Sequence, residues 1–296
     1  MAVPPLSPEL LTQVRHLELT TRELVRDLVA GDFASVFRGR GVEFTEVREY
    51  LPGDDVRTID WNVTARLGTP YIKRFIEERQ LTLFLLVDVS ASGAFGSVER
   101  TRREVLGEIA AVLALAAARQ RDRIGAAFYS DQVEWFSPPR SGRGQAMQVV
   151  TQALGLAAEG RGTDLMRALD VLEPILRHRA LVVVLSDFQD PGQWRGLDRL
   201  AARHDVVALQ VTDPRERELP RVGLATLWDP ESDDWVVVDT DDPMIRERYR
   251  EARADLEQAF ATRCLERRID LLKLDTDRPY AHALAAFFGR RELRRA

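Results

Sequence analysis

The chain has 296 residues, of which 45% are hydrophobic and 30% charged. This is typical of a globular protein that buries roughly three quarters of its unfolded surface. Its 47 acidic and 42 basic residues are interleaved and leave a net charge of −5, so no large basic face indicates a nucleic-acid partner. Cys264 is the only cysteine, which excludes an internal disulfide and a metal site built from several thiolates.

The first residues carry neither the basic start nor the apolar core of an export signal. The longest apolar runs, such as IAAVLALAAA, are shorter than the ~20 residues that span a bilayer. We therefore expect a cytoplasmic protein with no membrane anchor of its own.

The first predicted element is an amphipathic helix. Ser7-Pro8-Glu9 is typical of a helix start, and the apolar periodicity ends before Gly31. From residue 37 to residue 80, short β-prone pieces are broken by turn signals such as Pro52-Gly53. We assign residues 1–80 to this N-terminal helix and an irregular, strand-containing extension.

From Leu81 onward, apolar strands alternate with helices. Continuous apolar runs predict buried strands at LTLFLLVDV, ALVVVLSDF and DVVALQVT, and RIGAAFYS with VEWFSP predicts an antiparallel pair. Helices are predicted at residues 98–120, 144–156, 166–177 and 194–203. Buried strands separated by helices indicate an α/β fold, with a doubly wound, mostly parallel sheet flanked by helices.

The remaining chain is predicted to complete the same domain. It contains a hairpin in ATLWDPESDDWVVVDT, a charged helix at 243–268, an edge strand in IDLLKLDT and a closing helix. In the charged helix, Leu256, Phe260 and Leu265 predict a stripe facing the core. We assign residues 81–296 to one domain, with its core at 81–212.

Oxygen-bearing side chains occupy the ends of two predicted strands and the start of one helix. Asp88, Ser90 and Ser92 follow the first buried strand, Asp187 ends LVVVLSD, and Thr163 lies in a Gly-rich loop. Ligands of open α/β sheets bind outside the carboxyl ends of the strands, so we expect these five residues to converge. Each alone is more often a turn or cap residue, but together they form an all-oxygen set that suits Mg²⁺, or Mn²⁺ or Ca²⁺.

The order of these residues resembles the metal-ion-dependent adhesion site of von Willebrand factor A domains. Asp88, Ser90 and Ser92 match its D-x-S-x-S motif, Thr163 matches its second motif and Asp187 its third. The resemblance implies a von Willebrand factor A-like fold. It also implies a metal ion whose open position accepts a carboxylate from a partner protein.

The flanking sequence resembles a bacterial family. GRGVEFTEVREYLPGDDVRTIDWNVTARLGTPYIKRFIEERQ before the metal motif, and DTDRPYAHALAAFFGRR near the end, are similar to the domain-of-unknown-function-58 family. The resemblance covers residues 38–291. It implies a protein partner, a MoxR-type AAA+ ATPase or its client, and a chaperone-like role in maturation. We therefore expect a non-catalytic, metal-dependent interaction module.

One enzymatic alternative stays open. A phosphoryl-transfer hydrolase of the haloacid-dehalogenase type would use Asp88 as nucleophile, with Mg²⁺ held by Asp187 and Asp190. Against this alternative, Ser90 stands where the general acid is expected, and no lysine lies between Asp88 and Asp187. The chain has no G-x-x-x-x-G-K-[ST] loop for ATP. The histidines have no zinc spacing, and His204 is interpreted as a surface or capping residue.

Overall fold

The structure is a computed structural model that describes residues 8–30, 39–51, 54–56, 59–228 and 233–293. Ser7, Pro52-Gly53 and the turn of the predicted hairpin at 229–232 lie outside these ranges. Contacts divide the chain into two compact units, Phe37–Leu81 and the remainder. The first helices group with the larger unit, and the predicted boundary at residue 80 stays a prediction.

The elements are numbered in chain order. The helices are α1 Pro8–Thr20, α2 Arg22–Ala30, α3 Trp61–Leu67, α4 Arg102–Arg119, α5 Arg143–Gly155, α6 Leu165–Leu172, α7 Pro191–Ala201, α8 Pro243–Glu266 and α9 Ala281–Leu293. The strands are β1 Gly39–Glu49, β2 Tyr71–Arg79, β3 Thr82–Asp88, β4 Arg123–Tyr129, β5 Val133–Ser141, β6 Leu181–Ser186, β7 Asp205–Thr212, β8 Leu224–Trp228, β9 Trp235–Asp239 and β10 Asp270–Asp275.

In the smaller unit, β1 and β2 form an antiparallel ribbon with α3 between them in sequence. Asp60 caps α3, because its Oδ1 accepts a hydrogen bond from Asn62 N at 2.9 Å. Gly68 ends the helix in the left-handed conformation at φ +76°. The extension therefore contains strands, as predicted.

The larger unit contains a six-stranded sheet with the order β10-β7-β6-β3-β4-β5. Every neighbouring pair is parallel except β4 and β5. In β3 every residue after Thr82 is buried, because helices cover both faces. Each large apolar side chain buried in this way contributes roughly 1.5–3 kcal/mol. The mostly parallel sheet flanked by helices is confirmed, as is the edge position of β10.

Several helix boundaries differ from the prediction. The first helix is interrupted at Thr21, whose Oγ1 donates to Leu17 O at 2.5 Å. The next long helix begins at Arg102 rather than at residue 98, because Thr101 forms a capping box with Glu104. The helix predicted to reach residue 177 ends at Leu172, shortly before a proline.

The core-facing stripe of α8 also differs from the prediction. Phe260 and Cys264 are buried, whereas Leu265 is 81% exposed. Successive helical residues turn by about 100°, so the position four residues after Phe260 faces the core and the next position turns away.

His204 is buried rather than a surface residue. Within the described part of the chain, no helix combines the length and apolar character needed to cross a bilayer.

Candidate metal centre

The parallel pairing of β3 and β6 places two carboxylates at the same edge of the sheet. The register pairs Val87 with Leu185, so Asp88 at the end of β3 and Asp187 just after β6 lie next to each other. Both residues are buried, each with 6% exposure. Two buried carboxylates side by side repel each other unless a cation compensates their charge.

Asp88 is held by two hydrogen bonds. Its Oδ1 accepts from Ser90 N at 2.9 Å, and its Oδ2 accepts from Ser186 Oγ at 2.7 Å. Burial, and then the negative charge of Asp187, raise the pKa of Asp88, although these hydrogen bonds oppose the rise. Because each carboxylate oxygen has two lone pairs, Asp88 retains capacity for a further ligand.

The two motif serines lie together beside Asp88. Ser90 Oγ and Ser92 Oγ are 3.1 Å apart, with Ser90 buried and Ser92 partly buried. The Arg103 Nη2 donates to the carbonyl oxygens of Val89 and Ser90 at 2.5 and 2.9 Å. The backbone of the D-x-S-x-S motif is therefore fixed from the first turn of α4.

The loop that carries Thr163 contacts this motif. Ala91 N donates to Arg161 O at 3.0 Å, two residues before Thr163, which is itself partly buried. Gly160 N donates to Glu134 Oε1 at 2.7 Å and fixes the start of the loop. The structure thus brings Asp88, Ser90, Ser92 and Asp187 together, and it places Thr163 in the adjoining loop.

Arg102 is a charged neighbour that the sequence did not reveal. Its Nη2 lies 2.8 Å from Asp187 Oδ2, and its Nη1 bonds Glu216 Oε1. Its side chain is only 3% exposed. Burial alone would lower the pKa of Arg102, but the charges of Asp187 and Glu216 outweigh it and raise the pKa. Arg102 therefore stays positively charged inside the site.

Sequence reasoning also missed Ser186 and Glu216. Ser186 directly precedes Asp187, and its position as the last residue of a buried strand is the signal that could have found it. Arg102 and Glu216 lie 114 residues apart, and no spacing rule pairs them. Burial raises the pKa of Glu216, although the charge of Arg102 opposes this.

The predicted metal set lies beside a fixed positive charge, the guanidinium of Arg102. Asp88, Asp187 and Glu216 provide three acidic groups, and the buried cation between two of them is Arg102. Among the residues that the structure describes, no three His, Cys, Asp or Glu side chains converge as a metal-binding group. The predicted set contains two carboxylates and three hydroxyls, so all of its donors are oxygen atoms.

Asp190, the second metal ligand of the hydrolase alternative, has a structural role. Its Oδ1 accepts from Gly192 N at 2.8 Å, and it is the N-cap of α7. Gln193, one turn into the same helix, is buried, and its Oε1 lies 3.3 Å from Ser186 Oγ. The start of α7 thus contacts Ser186, the residue that donates a hydrogen bond to Asp88.

Sequence comparisons identify relatives over most of the chain. The profile of the family described as "Protein of unknown function DUF58" matches residues 46–259. Uncharacterized proteins of Mycobacterium tuberculosis and Mycobacterium bovis are each 35% identical over 288 residues, covering 96% of this chain and 90% of theirs. An uncharacterized protein of Mycobacterium avium is 34% identical over 154 residues, covering 51% of this chain and 90% of its own.

Two solved structures are similar over about three quarters of the chain. The conserved hypothetical protein BatB of Bacteroides thetaiotaomicron has 13% identity and a TM-score of 0.46, covering 73% of this chain and 100% of that one. An aerotolerance-related membrane protein of Bacteroides fragilis has 13% identity and a TM-score of 0.47, covering 72% and 99%. These likenesses are too distant to bear on function.

Proposed function

The chain belongs to the family described as protein of unknown function DUF58, and we propose that it is a non-catalytic module that binds a partner protein through a divalent metal ion. The observation that carries the proposal is the buried pair of Asp88 and Asp187 at the carboxyl edge of the sheet, beside the two motif serines. A buried pair of like charges is costly; Arg102 compensates Asp187, and a metal cation beside Asp88 would offset the negative charge that remains.

The proposed ligands are the five predicted residues: Asp88, Ser90, Ser92, Thr163 and Asp187. Mg²⁺ suits this set best, with Mn²⁺ or Ca²⁺ as substitutes, because few charged ligands leave positions for water and for one outside group. When bound, the metal supplies positive charge that a partner's carboxylate can contact. In this proposal Asp88 and the serines place the metal at the carboxyl edge of the sheet, where Ser92 is only partly buried.

The fold supports the von Willebrand factor A-like interpretation. Read from the other edge, the strand order is β5-β4-β3-β6-β7-β10, with a single antiparallel strand at one edge. The topological switch point, where the order along the chain reverses, lies between β3 and β6. This is the position at which open α/β sheets bind ligands, and Asp88 and Asp187 occupy it.

The proposed partner is a MoxR-type AAA+ ATPase or its client, with the chain as a chaperone-like adaptor in the cytoplasm. Support for this partner comes from the family resemblance over residues 38–291 and not from the geometry of the site. A partner that docks through a metal must present an accessible Asp or Glu, so binding depends on both the metal and that acid.

The hydrolase alternative has weaker support. Asp190 is the N-cap of α7, where its Oδ1 accepts a hydrogen bond from Gly192 N. The position of the general acid holds Ser90, which cannot protonate a leaving group as a carboxylic acid does. An interaction module needs neither a general acid nor Asp190 as a metal ligand, so it accounts for the same residues more simply.

A pull-down from native lysate tests the proposal. The bait is wild-type protein in Mg²⁺, wild-type protein in EDTA, Asp88→Ala in Mg²⁺, or the control Asp190→Ala in Mg²⁺. We expect a common partner with wild type and Asp190→Ala in Mg²⁺ only, and mass spectrometry identifies it. Equal recovery in every arm would contradict metal-dependent docking. Turnover of a generic phosphoester that Asp88→Asn abolishes would favour the hydrolase.

A further inference from the structure

The tail hairpin, formed by β8 and β9, exposes apolar side chains on both of its faces. Trp235 is 65% exposed and Val237 66% on one face, and Val236 is 57% exposed on the other. The rings of Trp228 and Trp235 stack with centroids 5.8 Å apart. Within the described residues β8 and β9 pair only with each other. A two-stranded ribbon with both faces in water is marginally stable, so this one is suited to be covered.

The tail hairpin is also strongly acidic. From Leu224 to Asp239 the sequence has five Asp or Glu residues and no Lys or Arg. A surface that combines exposed indole rings with a single sign of charge favours a basic, partly apolar binding site. The occupant of such a surface must therefore supply both arginine or lysine side chains and apolar contacts.

A groove of about 660 Å³ elsewhere on the larger unit has these properties. It lies between α1, α2, the last turns of α4 and the start of α5, and we call it the arginine groove. Its lining consists of Arg15, Arg22, Arg119 and Arg143 around Leu19, Val25, Leu115 and Ala118. No acidic side chain is among these described lining residues, and Leu19 is 71% exposed.

The topology places these two surfaces at opposite ends of the sheet. The tail hairpin follows β7, which ends at the carboxyl edge where Asp88 and Asp187 lie. The arginine groove is lined by the end of α4 just before β4 begins, and so it lies at the amino edge. A hairpin at one end of the sheet cannot reach a groove at the other end of the same unit. Contact between them requires two molecules.

We propose that the tail hairpin of one copy docks in the arginine groove of a second copy. The acidic residues of the hairpin face the arginines, and the exposed tryptophan and valine side chains cover the apolar floor. Such a contact joins different surfaces of the two copies, so it is heterologous and head-to-tail. It leaves a free hairpin at one end and a free groove at the other, and association can continue. The contact is independent of the metal.

Sedimentation equilibrium of the full chain tests the proposal. We expect wild-type protein to associate with rising concentration and to dissociate at high salt, because salt screens the charges. A hairpin variant, Trp235→Ser with Val237→Ser, and a groove variant, Arg15→Glu with Arg22→Glu, should each weaken association at least ~10-fold. The charge-matched control Arg179→Glu with Arg195→Glu lies outside the groove and should associate as wild type does.

Mixing the two variants gives the decisive result. The hairpin variant keeps an intact groove and the groove variant keeps an intact hairpin, so the mixture should form a 1:1 complex that grows no further. Retained folding of each variant is checked by its thermal transition. A wild-type monomer at all concentrations would overturn the proposal. Association that the groove variant does not weaken, as in hairpin-to-hairpin pairing, would also overturn it. A mixture of the two variants that stays monomeric would do the same.

Discussion

Replacing Arg102 by glutamine removes the built-in positive charge of the candidate metal centre. In the wild type, Arg102 lies 2.8 Å from Asp187 and bonds Glu216, with side-chain exposures of only 8% and 12% for these two acids. Removing one partner of a buried ion pair costs ~3–5 kcal/mol, because the remaining charge stays buried without compensation. For a unit of this size, the metal-free protein should lose about 6–20 °C in Tm.

A bound divalent cation changes this result. It compensates Asp187 in place of the guanidinium, so Mg²⁺ should raise the Tm of Arg102→Gln more than it raises the Tm of the wild type. The assay is calorimetric unfolding of both proteins in EDTA and in excess Mg²⁺. Titration calorimetry should also show tighter Mg²⁺ binding by the variant, because a repelling positive charge beside the site is gone.

Arg199→Gln is the matched control. Arg199 also pairs with two acids, Asp170 and Glu173, but its side chain is 35% exposed. Exposed ion pairs contribute ~0–1 kcal/mol, so this variant should lose little stability and show no added response to Mg²⁺. If Arg102→Gln is no less stable than the control, or if Mg²⁺ stabilises it no more than the wild type, the electrostatic account of the site is wrong.

Three further predictions follow from other contacts. Gly107→Ala should cost ~1–3 kcal/mol in urea unfolding, since its Cβ would lie 2.3 Å from the backbone oxygen of Ala153. Gly144→Ala, with open space around its Cβ, should be neutral or stabilising, and equal effects of the two changes would contradict the close packing of α4 on α5. Burial, and then the charge of Arg203, lower the pKa of His204. The neutral imidazole therefore contributes to stability above about pH 6.5, and this contribution is lost as the pH falls and the unfolded chain binds the proton more readily. His204→Gln should therefore lose less stability than wild type on acidification, and an identical pH profile would refute this. Burial raises the pKa of Cys264 to about 12, so the native thiol should resist alkylation at mildly alkaline pH. Labelling should become fast only when denaturant is added, and rapid labelling of the native protein would contradict the position of Cys264 in the core.

The central sheet was predictable because its strands are buried on both faces. Continuous apolar runs such as β3 and β6 have few alternatives to a covered parallel sheet. Helix ends were less predictable, because single side chains determine them. The capping box of Thr101 and Glu104 starts α4 four residues later than the apolar pattern suggests. On α8, Cys264 rather than Leu265 faces the core, a difference of one residue in phase.

The candidate site was predictable only where local motifs carry it. Asp88, Ser90 and Ser92 are close in sequence, and Asp187 ends a recognisable strand, so topology alone suggested their convergence. Arg102 and Glu216 meet through tertiary packing across 114 residues, and a single sequence contains no signal for such a pair. The apolar character of the tail hairpin was visible in the sequence, but its exposure on both faces was not.

Mg²⁺ titration calorimetry on wild type, Asp88→Ala and Asp190→Ala is the most direct test of the central claim. The account predicts saturable binding of one Mg²⁺ per chain by the wild type and by Asp190→Ala, because Asp190 serves as a helix cap. It predicts loss of that binding in Asp88→Ala, with the fold retained. Absence of binding by the wild type, or binding that Asp88→Ala leaves unchanged, would contradict a metal site at the carboxyl edge of this sheet.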